Sequence, residues 1–493
     1  MSFLSKITSI FNNPTKQNLV KTIDSDNFNP KQNNSNSEML LCLCPSWGVE
    51  MPPIVLGTLK TAMAQHGINI KTRDLNVECF HLLNQEKYWD KSSIHYWVNP
   101  KLFAENIYPH LNDILERFSD DLAYSEEDII GFSILSSNLN FTNHLIERIK
   151  LKVPEKIIIV GGPCLCFKEE RERLRSDIDY FVVGEGEESL KELLDYLKGK
   201  KQTLPNSVYQ TRELGLDLPF RMSENLSKYG VPNYTDLNFS NYEMKSLPMI
   251  FTRSCLFNCK FCADYKSMGK FRKLSYERIF EIWNEFYNQG YRNFWLNDLL
   301  INGIMKELVQ VCLKFEKLDR KIEWIALATP NLQLKKEDLE ILSRNGLKTL
   351  NFGVESGSND VMKMMKKGFN KEQAEKGLKR VIEAGINTQL NIIVGFPGET
   401  EKHFLETLDF LDKNRHNICG FTSVNACVLM AGSDISRTPK KFNIQWDEET
   451  DMQTEWYIGT ENTPKIRRDR LQRVLKWIKD NGYNLYSSNE ATN

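Results

Sequence analysis

Between residues 246 and 440 the sequence alternates short apolar runs with longer stretches of helical periodicity. The runs fall at 249–252, 293–296, 323–328, 349–354, 389–394 and 421–429, and the helical stretches at 276–289, 304–318, 336–345, 371–384 and 404–411. Successive strands joined through helices pair in parallel, because a parallel neighbour can only be reached by a long crossover. Six such repeats predict a partial (β/α)6 barrel, whose chemistry belongs at the carboxyl ends of its strands. Ser275 is placed to cap the first of these helices, and Gly346 to end the third.

A second α/β pattern precedes the first. Residues 39–201 carry apolar runs at 39–44, 68–74, 128–132, 156–160 and 180–183, with helical stretches at 58–66, 143–151 and 189–197. This predicts a Rossmann-like, doubly wound parallel sheet. Pro45, Ser133, Gly161-Gly162-Pro163 and Gly184-Glu185-Gly186-Glu187 all follow strands. Small residues at that edge make a binding rim, since such sheets bind ligands outside the strand carboxyl ends. They are equally what tight strand-to-helix turns require.

The remainder divides into a leader, a linker and a cap. Residues 1–38 are a leader, dense in Asn, Ser, Lys, Gln and Asp from residue 12 onward and read as flexible. Ahead of that stretch Phe3, Leu4, Ile7, Ile10 and Phe11 recur at helical spacing, which suits a helix packed on its own domain, or one docked on a partner or membrane. Residues 202–245 read as an irregular linker. Residues 441–493 hold Trp446, Trp456 and Trp477 and a helix over 466–479, read as a small C-terminal cap on the barrel.

The most specific chemistry lies just after the barrel's first predicted strand, in Cys255-Leu-Phe-Asn-Cys259-Lys-Phe-Cys262. Three thiolates on one short loop suit iron–sulfur or zinc binding. A structural zinc site needs a fourth ligand, and the nearest cysteines, Cys166 and Cys312, and histidines, His144 and His403, are distant in sequence. A cluster of three thiolates with one open iron accounts best for the local pattern. A non-enzymatic module held together by a metal is disfavoured by the same missing ligand.

Charge narrows the partners. The 64 basic and 65 acidic residues create no field for nucleic acid or an anionic membrane. No apolar run reaches the ~18 residues of a transmembrane segment. The start lacks the basic and apolar regions of a secretory signal. Eleven cysteines without such a signal point to a reducing cytoplasm.

Taken together, these residues resemble the radical S-adenosylmethionine enzymes. The resemblance rests on the cysteine loop with Phe261 before its last cysteine, on Glu355-Ser356-Gly-Ser358 and on Gly395-Phe396-Pro397-Gly-Glu399. Asn297-Asp298-Leu-Leu-Ile-Asn302 resembles a segment of the cobalamin-linked members, and the match runs over residues 248–439. Residues 39–201 resemble the cobalamin-binding domain found ahead of such barrels, through Pro45-Ser-Trp47, Pro52-Pro53, Asp74-Leu-Asn76, Gly131-Phe-Ser133, Gly161-Gly162-Pro163 and Gly184–Glu187. One departure is clear. None of the seven histidines follows an Asp by two positions, so the Asp-x-His-x-x-Gly motif that supplies an axial histidine elsewhere is missing.

The resemblance implies a [4Fe–4S] cluster on Cys255, Cys259 and Cys262. It implies contacts to S-adenosylmethionine from Phe261, Asp298, Glu355, Ser356, Ser358, Asn391, Gly395, Phe396 and Pro397. Cobalamin would be held by Pro45, Trp47, Ser133, Ser136, Ser137, Gly161, Gly162, Pro163, Gly184, Glu185 and Glu187, with no histidine from that motif. An external electron donor of flavodoxin or ferredoxin type and a small-molecule or peptide substrate follow. So does the expected reaction: reductive cleavage of S-adenosylmethionine and methylation, through methylcobalamin, of an unactivated carbon or another poorly nucleophilic centre. The alternative keeps the radical chemistry for cyclisation, rearrangement or oxidation, without using the first domain for methyl transfer.

Overall fold

The computed structural model describes residues 37–90, 93–210, 221–244, 246–331, 334–447 and 450–488. The predicted leader lies outside these residues except at its last two positions, as does part of the predicted linker.

β1 (Met39–Leu43), β2 (Ile70–Asp74), β3 (Ile129–Ser133), β4 (Ile157–Gly161), β5 (Tyr180–Val182) and β6 (Val208–Tyr209) form one sheet in the order β2-β1-β3-β4-β5-β6. All neighbours are parallel except β5 and β6. The strand order reverses at β1, so a crevice opens between the carboxyl ends of β1 and β3. Alternate residues of β1 enter different cores: Met39, Leu41 and Leu43 one, Leu40 and Cys42 the other. Burial on both faces is why this strand is apolar throughout.

Two elements extend beyond the sequence expectation. The first helix begins at Ile54, directly after the Pro52-Pro53 pair that sets its start. The helix Asn112–Ala123 was not among the predicted elements, although Ile114, Leu115, Phe118 and Leu122 form its buried face at helical spacing.

The second sheet contains β7 (Leu247–Met249), β10 (Asn293–Leu296), β11 (Glu323–Ala328), β12 (Leu347–Glu355), β13 (Asn387–Val394), β14 (Gly420–Ala426) and β15 (Asn484–Leu485), paired in parallel in that order across an open, partial barrel. The run predicted at 249–252 divides in two. β7 ends at Met249, and β8 (Thr252–Arg253) turns away to pair antiparallel with β9 (Arg272–Lys273). The cysteine loop is therefore the connection of a hairpin.

The segment expected as an irregular linker is part of the core. β6 edges the first sheet, and Leu226, Tyr229, Tyr234 and Leu237 are buried in one cluster with Leu41 and Val182 of the first sheet and Trp283 and Phe294 of the barrel. Their spacing follows neither a helical nor a strand period, so no periodic signal marks their burial.

Candidate active site

Asp298, just past β10, sets the course of the cysteine loop. Its Oδ1 accepts the backbone N–H of Phe251 at 3.0 Å and both the N–H and hydroxyl of Thr252 at 2.5 Å. This draws the chain off the β10 ladder and into β8. Ser254 follows in the left-handed region, at φ 70°, and its hydroxyl donates to Gly269 O at 2.6 Å. Cys255, Cys259 and Cys262 come next, each partly exposed.

Two further segments grip this loop. Lys260 N–H donates to Met365 O at 2.9 Å, and Lys260 O accepts from Ile435 N–H at 3.2 Å. Asp434 collects Lys260 Nζ at 2.6 Å, Lys266 Nζ and the Tyr265 hydroxyl at 3.2 Å. These cations hold the Asp434 carboxyl well below the usual carboxylate range, against its desolvation.

Burial pushes all three thiols up; Asp264 adds to this at Cys262, while Lys367 opposes it at Cys255 and Cys259. Among the described residues no group of three or more His, Cys, Asp or Glu side chains is gathered tightly enough to hold a metal ion. The fit to an iron–sulfur cluster rests on donor chemistry instead. Three thiols share one braced loop, and Lys260 and Lys266 share the one carboxylate of Asp434, which leaves the loop a net positive charge to set against an anionic cluster. Since thiolates are the ligands, cluster loading must release their protons.

Across from the loop, Glu355 ends β12 at φ 69° and is 6% exposed. Burial raises its carboxyl, and Lys367 pulls it back from 3.5 Å. The Lys367 ammonium also lies over the rings of Phe261, at 5.6 Å, and Phe369, at 5.5 Å. Any Cβ at Gly353 would crowd both Glu355 and Lys367, so glycine keeps this pair intact. Lys367 was missed by the sequence reading. Its only signal is a Lys-Lys-Gly turn after the short helix that follows Ser358.

The remaining residues expected around S-adenosylmethionine lie along neighbouring strand ends, and most are internally bonded. Ser356 Oγ is 3.1 Å from Thr407 Oγ1, and Ser358 Oγ donates to Glu406 at 2.5 Å. Asn391, within β13, accepts from Ser423 Oγ at 3.2 Å. Gly395 takes φ 76° and donates its N–H to Glu399 at 2.7 Å. The carbonyls of Gly395 and Phe396 accept from Asn462 Nδ2 at 3.0 and 3.1 Å, and Phe396 and Pro397 are buried. A glycine-bearing turn with its carbonyls anchored from behind, next to a buried carboxylate–lysine pair, is chemically suited to a zwitterionic nucleoside such as S-adenosylmethionine.

The other rim lies at the switch point of the first sheet. Ser137 Oγ donates to Ser46 O at 2.7 Å, joining the loops after β3 and β1. Asn76 Oδ1 accepts from Trp47 N–H at 2.9 Å and from Trp89 Nε1 at 2.8 Å, which fixes the turn and leaves Trp47 47% exposed. The Ser46 hydroxyl is buried without a partner. Gly162, at φ 141°, passes so close to the Ile134 backbone that a Cβ would collide with it. Pro45 and Ser133 are buried; Ser136, Gly161 and Gly184 are partly exposed, and Pro163 is exposed. Small side chains over three strand ends, an exposed tryptophan and an orphaned hydroxyl suit a large flat cofactor such as a corrinoid. Glu185 and Glu187, expected as corrinoid contacts, direct their carboxylates instead to Arg253 and Arg272 of the barrel hairpin.

Comparison with known proteins gives the same two halves. The radical SAM superfamily model matches residues 249–411, and the B12 binding domain model residues 105–194. The chain therefore carries a radical S-adenosylmethionine domain with a B12-binding domain ahead of it. Its cofactors are a [4Fe–4S] cluster, S-adenosylmethionine and cobalamin. An uncharacterized methyltransferase of Pyrococcus horikoshii is 26% identical over 328 residues, covering 63% of this chain and 71% of the relative. The radical S-adenosylmethionine methyltransferase TsrM from Kitasatospora setae superposes with a TM-score of 0.63 at 16% identity, over 84% of this chain and 79% of its own. The cobalamin-dependent S-adenosylmethionine radical enzyme OxsB gives 0.65 at 17% identity, over 90% and 67%. At these identities the two structures share the fold. No helix among the described residues is long and apolar enough to cross a membrane.

Proposed function

We propose that this enzyme methylates an unactivated carbon, or another poorly nucleophilic centre, of a small-molecule or peptide substrate. The observation that carries this reading is the direct contact between the two rims: Glu187, at the corrinoid edge, is ion-paired with Arg253, two residues before Cys255. A chain that joins these edges side by side suits a reaction using both cofactors on one substrate. When bound, the cluster supplies the electron that splits S-adenosylmethionine, and the cobalamin carries the methyl group.

The protein's own part is to bind, orient and keep dry. Cys255, Cys259 and Cys262 hold the cluster. Lys367 and Glu355 receive the charged methionine end of S-adenosylmethionine, and the Gly395–Pro397 turn, held from behind by Asn462, walls the adenine side. Asp298, Ser356, Ser358 and Asn391 support that pocket through the bonds described above. Pro45, Trp47, Ser133, Ser136, Ser137, Gly161–Pro163 and Gly184 line the corrinoid seat. We assign the corrinoid unit to residues 39–201 and the radical unit to residues 246–440. The electron comes from a flavodoxin- or ferredoxin-type carrier in the cytoplasm.

Mass spectrometry of the reconstituted enzyme with candidate substrates tests the reading. The expected product is heavier by one CH₂ group, and its formation depends on added cobalamin. A product of unchanged mass, or one that has lost hydrogen, formed equally without cobalamin, assigns the enzyme to rearrangement, cyclisation or oxidation instead. Cys255→Ala should bind none of the about four irons of the intact cluster and produce no deoxyadenosine.

A further inference from the structure

The hairpin that carries the cysteine loop has an unusual closing pair. Arg253 of β8 stands directly opposite Arg272 of β9. Like charges opposed across an antiparallel ladder destabilise it. Here neither guanidinium belongs to the hairpin's own charge balance: both are met by glutamates from the other sheet. Glu185 Oε1 lies 3.1 Å from Arg253 Nη1 and 2.7 Å from Arg272 Nη2. Glu185 Oε2 accepts from Arg272 Nη1 at 2.9 Å and from Ser223 N–H at 2.5 Å. Glu187 takes Arg253 with both carboxylate oxygens. The Glu187 side chain is 4% exposed, Arg272 11%, Glu185 13% and Arg253 22%. Two carboxylates are thus matched with two guanidiniums in a partly desolvated site, where removing one partner strands another charge.

We infer that Glu185 and Glu187 are positioning residues that latch the corrinoid rim to the cysteine loop, so that occupation of one cofactor site is felt at the other. The inference rests on the reading that this rim seats cobalamin. The physical route is short. The Gly184–Glu187 turn leaves β5 at the rim itself, and Gly184 takes φ 93° there. Its carboxylates end on the two residues that open and close the cysteine hairpin. A ligand that fixes the turn fixes the hairpin ends, so the first ligand to bind meets the cost of ordering the loop and the second binds at less cost.

The test measures S-adenosylmethionine affinity by equilibrium dialysis on the cluster-reconstituted full chain, with the cluster oxidised so that no turnover occurs, with and without saturating hydroxocobalamin. The wild-type protein is expected to bind S-adenosylmethionine at least about fivefold more tightly when hydroxocobalamin is present. In the E185Q/E187Q variant the ratio should fall towards one while both ligands still bind and iron content is unchanged. Should that variant lose its iron or its fold, E187Q alone, which leaves Glu185 between both guanidiniums, carries the same test with a ratio between one and that of the wild type. A ratio of one in the wild type, or an unaltered ratio in the variants, overturns the latch. Absence of any hydroxocobalamin shift in the visible spectrum of the wild type overturns the corrinoid seat itself, and the latch with it.

Discussion

Asp298 has one carboxylate oxygen accepting three donors and the other, Oδ2, buried without a partner. Desolvation pushes its carboxyl up to about 6, and the bonds from Thr252 and Phe251 offset only part of that. Glu399 is pushed up to about 7 by burial, opposed by the Gly395 N–H and Arg470. A carboxyl that titrates higher in the folded chain holds its proton more tightly there. Its contribution to stability is full below about pH 4, where the unfolded group titrates, and is lost as pH rises through the folded value. The cofactor-free protein is therefore expected to lose stability between about pH 4 and 7, read as the urea midpoint at each pH. D298N keeps the acceptor and should flatten the lower part of that slope. D298A leaves three donors unmet and should cost about 2–4 kcal/mol at pH 5, and less as pH rises. The Glu355–Lys367 pair makes a second case. K367M strands a buried carboxylate and should destabilise by about 3–5 kcal/mol, with E355Q/K367M recovering most of it. Both variants should bind S-adenosylmethionine at least about tenfold more weakly, because the two charges serve the ligand as well as each other. The sequence placed Asp298 and Glu355 at strand ends, but not which way their oxygens turn. For Asp298 that depends on donors of Phe251 and Thr252, and for Glu355 on the Lys367 ammonium.

At the scale of elements, the C-terminal segment does more than cover the barrel. The structure uses it to extend and brace the barrel. The helix Pro464–Asp480 packs on β13 and β14, and β15 adds a strand beside β14. Asn462 holds the Gly395 and Phe396 carbonyls, and Arg470 pairs with Glu399 at 3.2 Å. Arg467 stacks 3.7 Å from the Trp456 ring centroid and donates to the carbonyls of Thr454 and Trp456 at 2.8 and 2.7 Å. Desolvation lowers its guanidinium to about 10. Gly395 leaves no room for a Cβ beside the Arg467 stem and sits at φ 76°. G395A is expected to cost about 1–3 kcal/mol in thermal or urea unfolding and to weaken S-adenosylmethionine binding, through a shifted turn rather than a lost contact. The helix itself was legible from Leu471, Val474 and Ile478. Its target was not, because an apolar stripe specifies that a face is buried without naming the surface that buries it.

The whole molecule is built on two sheets that share buried apolar surface. A single core runs from Leu41, Leu56 and Val182 through the connecting segment to Trp283, Phe294 and Leu350. Residues 246–493 produced without the first sheet would expose that shared surface, and are expected to sediment as aggregate where the full chain stays in solution. Hydroxocobalamin at about a hundred times its dissociation constant should stabilise the intact protein by about 2.7 kcal/mol, seen as a higher midpoint of one transition and not of a separate early one. The sequence by itself determined the two parallel sheets, through apolar runs alternating with helical stripes, and the cluster loop, through three thiols at fixed spacing. Local periodicity and local ligand spacing are carried within a few turns of chain. The tertiary structure alone decided that the connecting segment is core, that Glu185 and Glu187 face arginines, and that Lys367 stands against Glu355. Each of those depends on charges and apolar faces far apart in sequence meeting in a desolvated space, where only the folded arrangement fixes which partner is near enough to satisfy them.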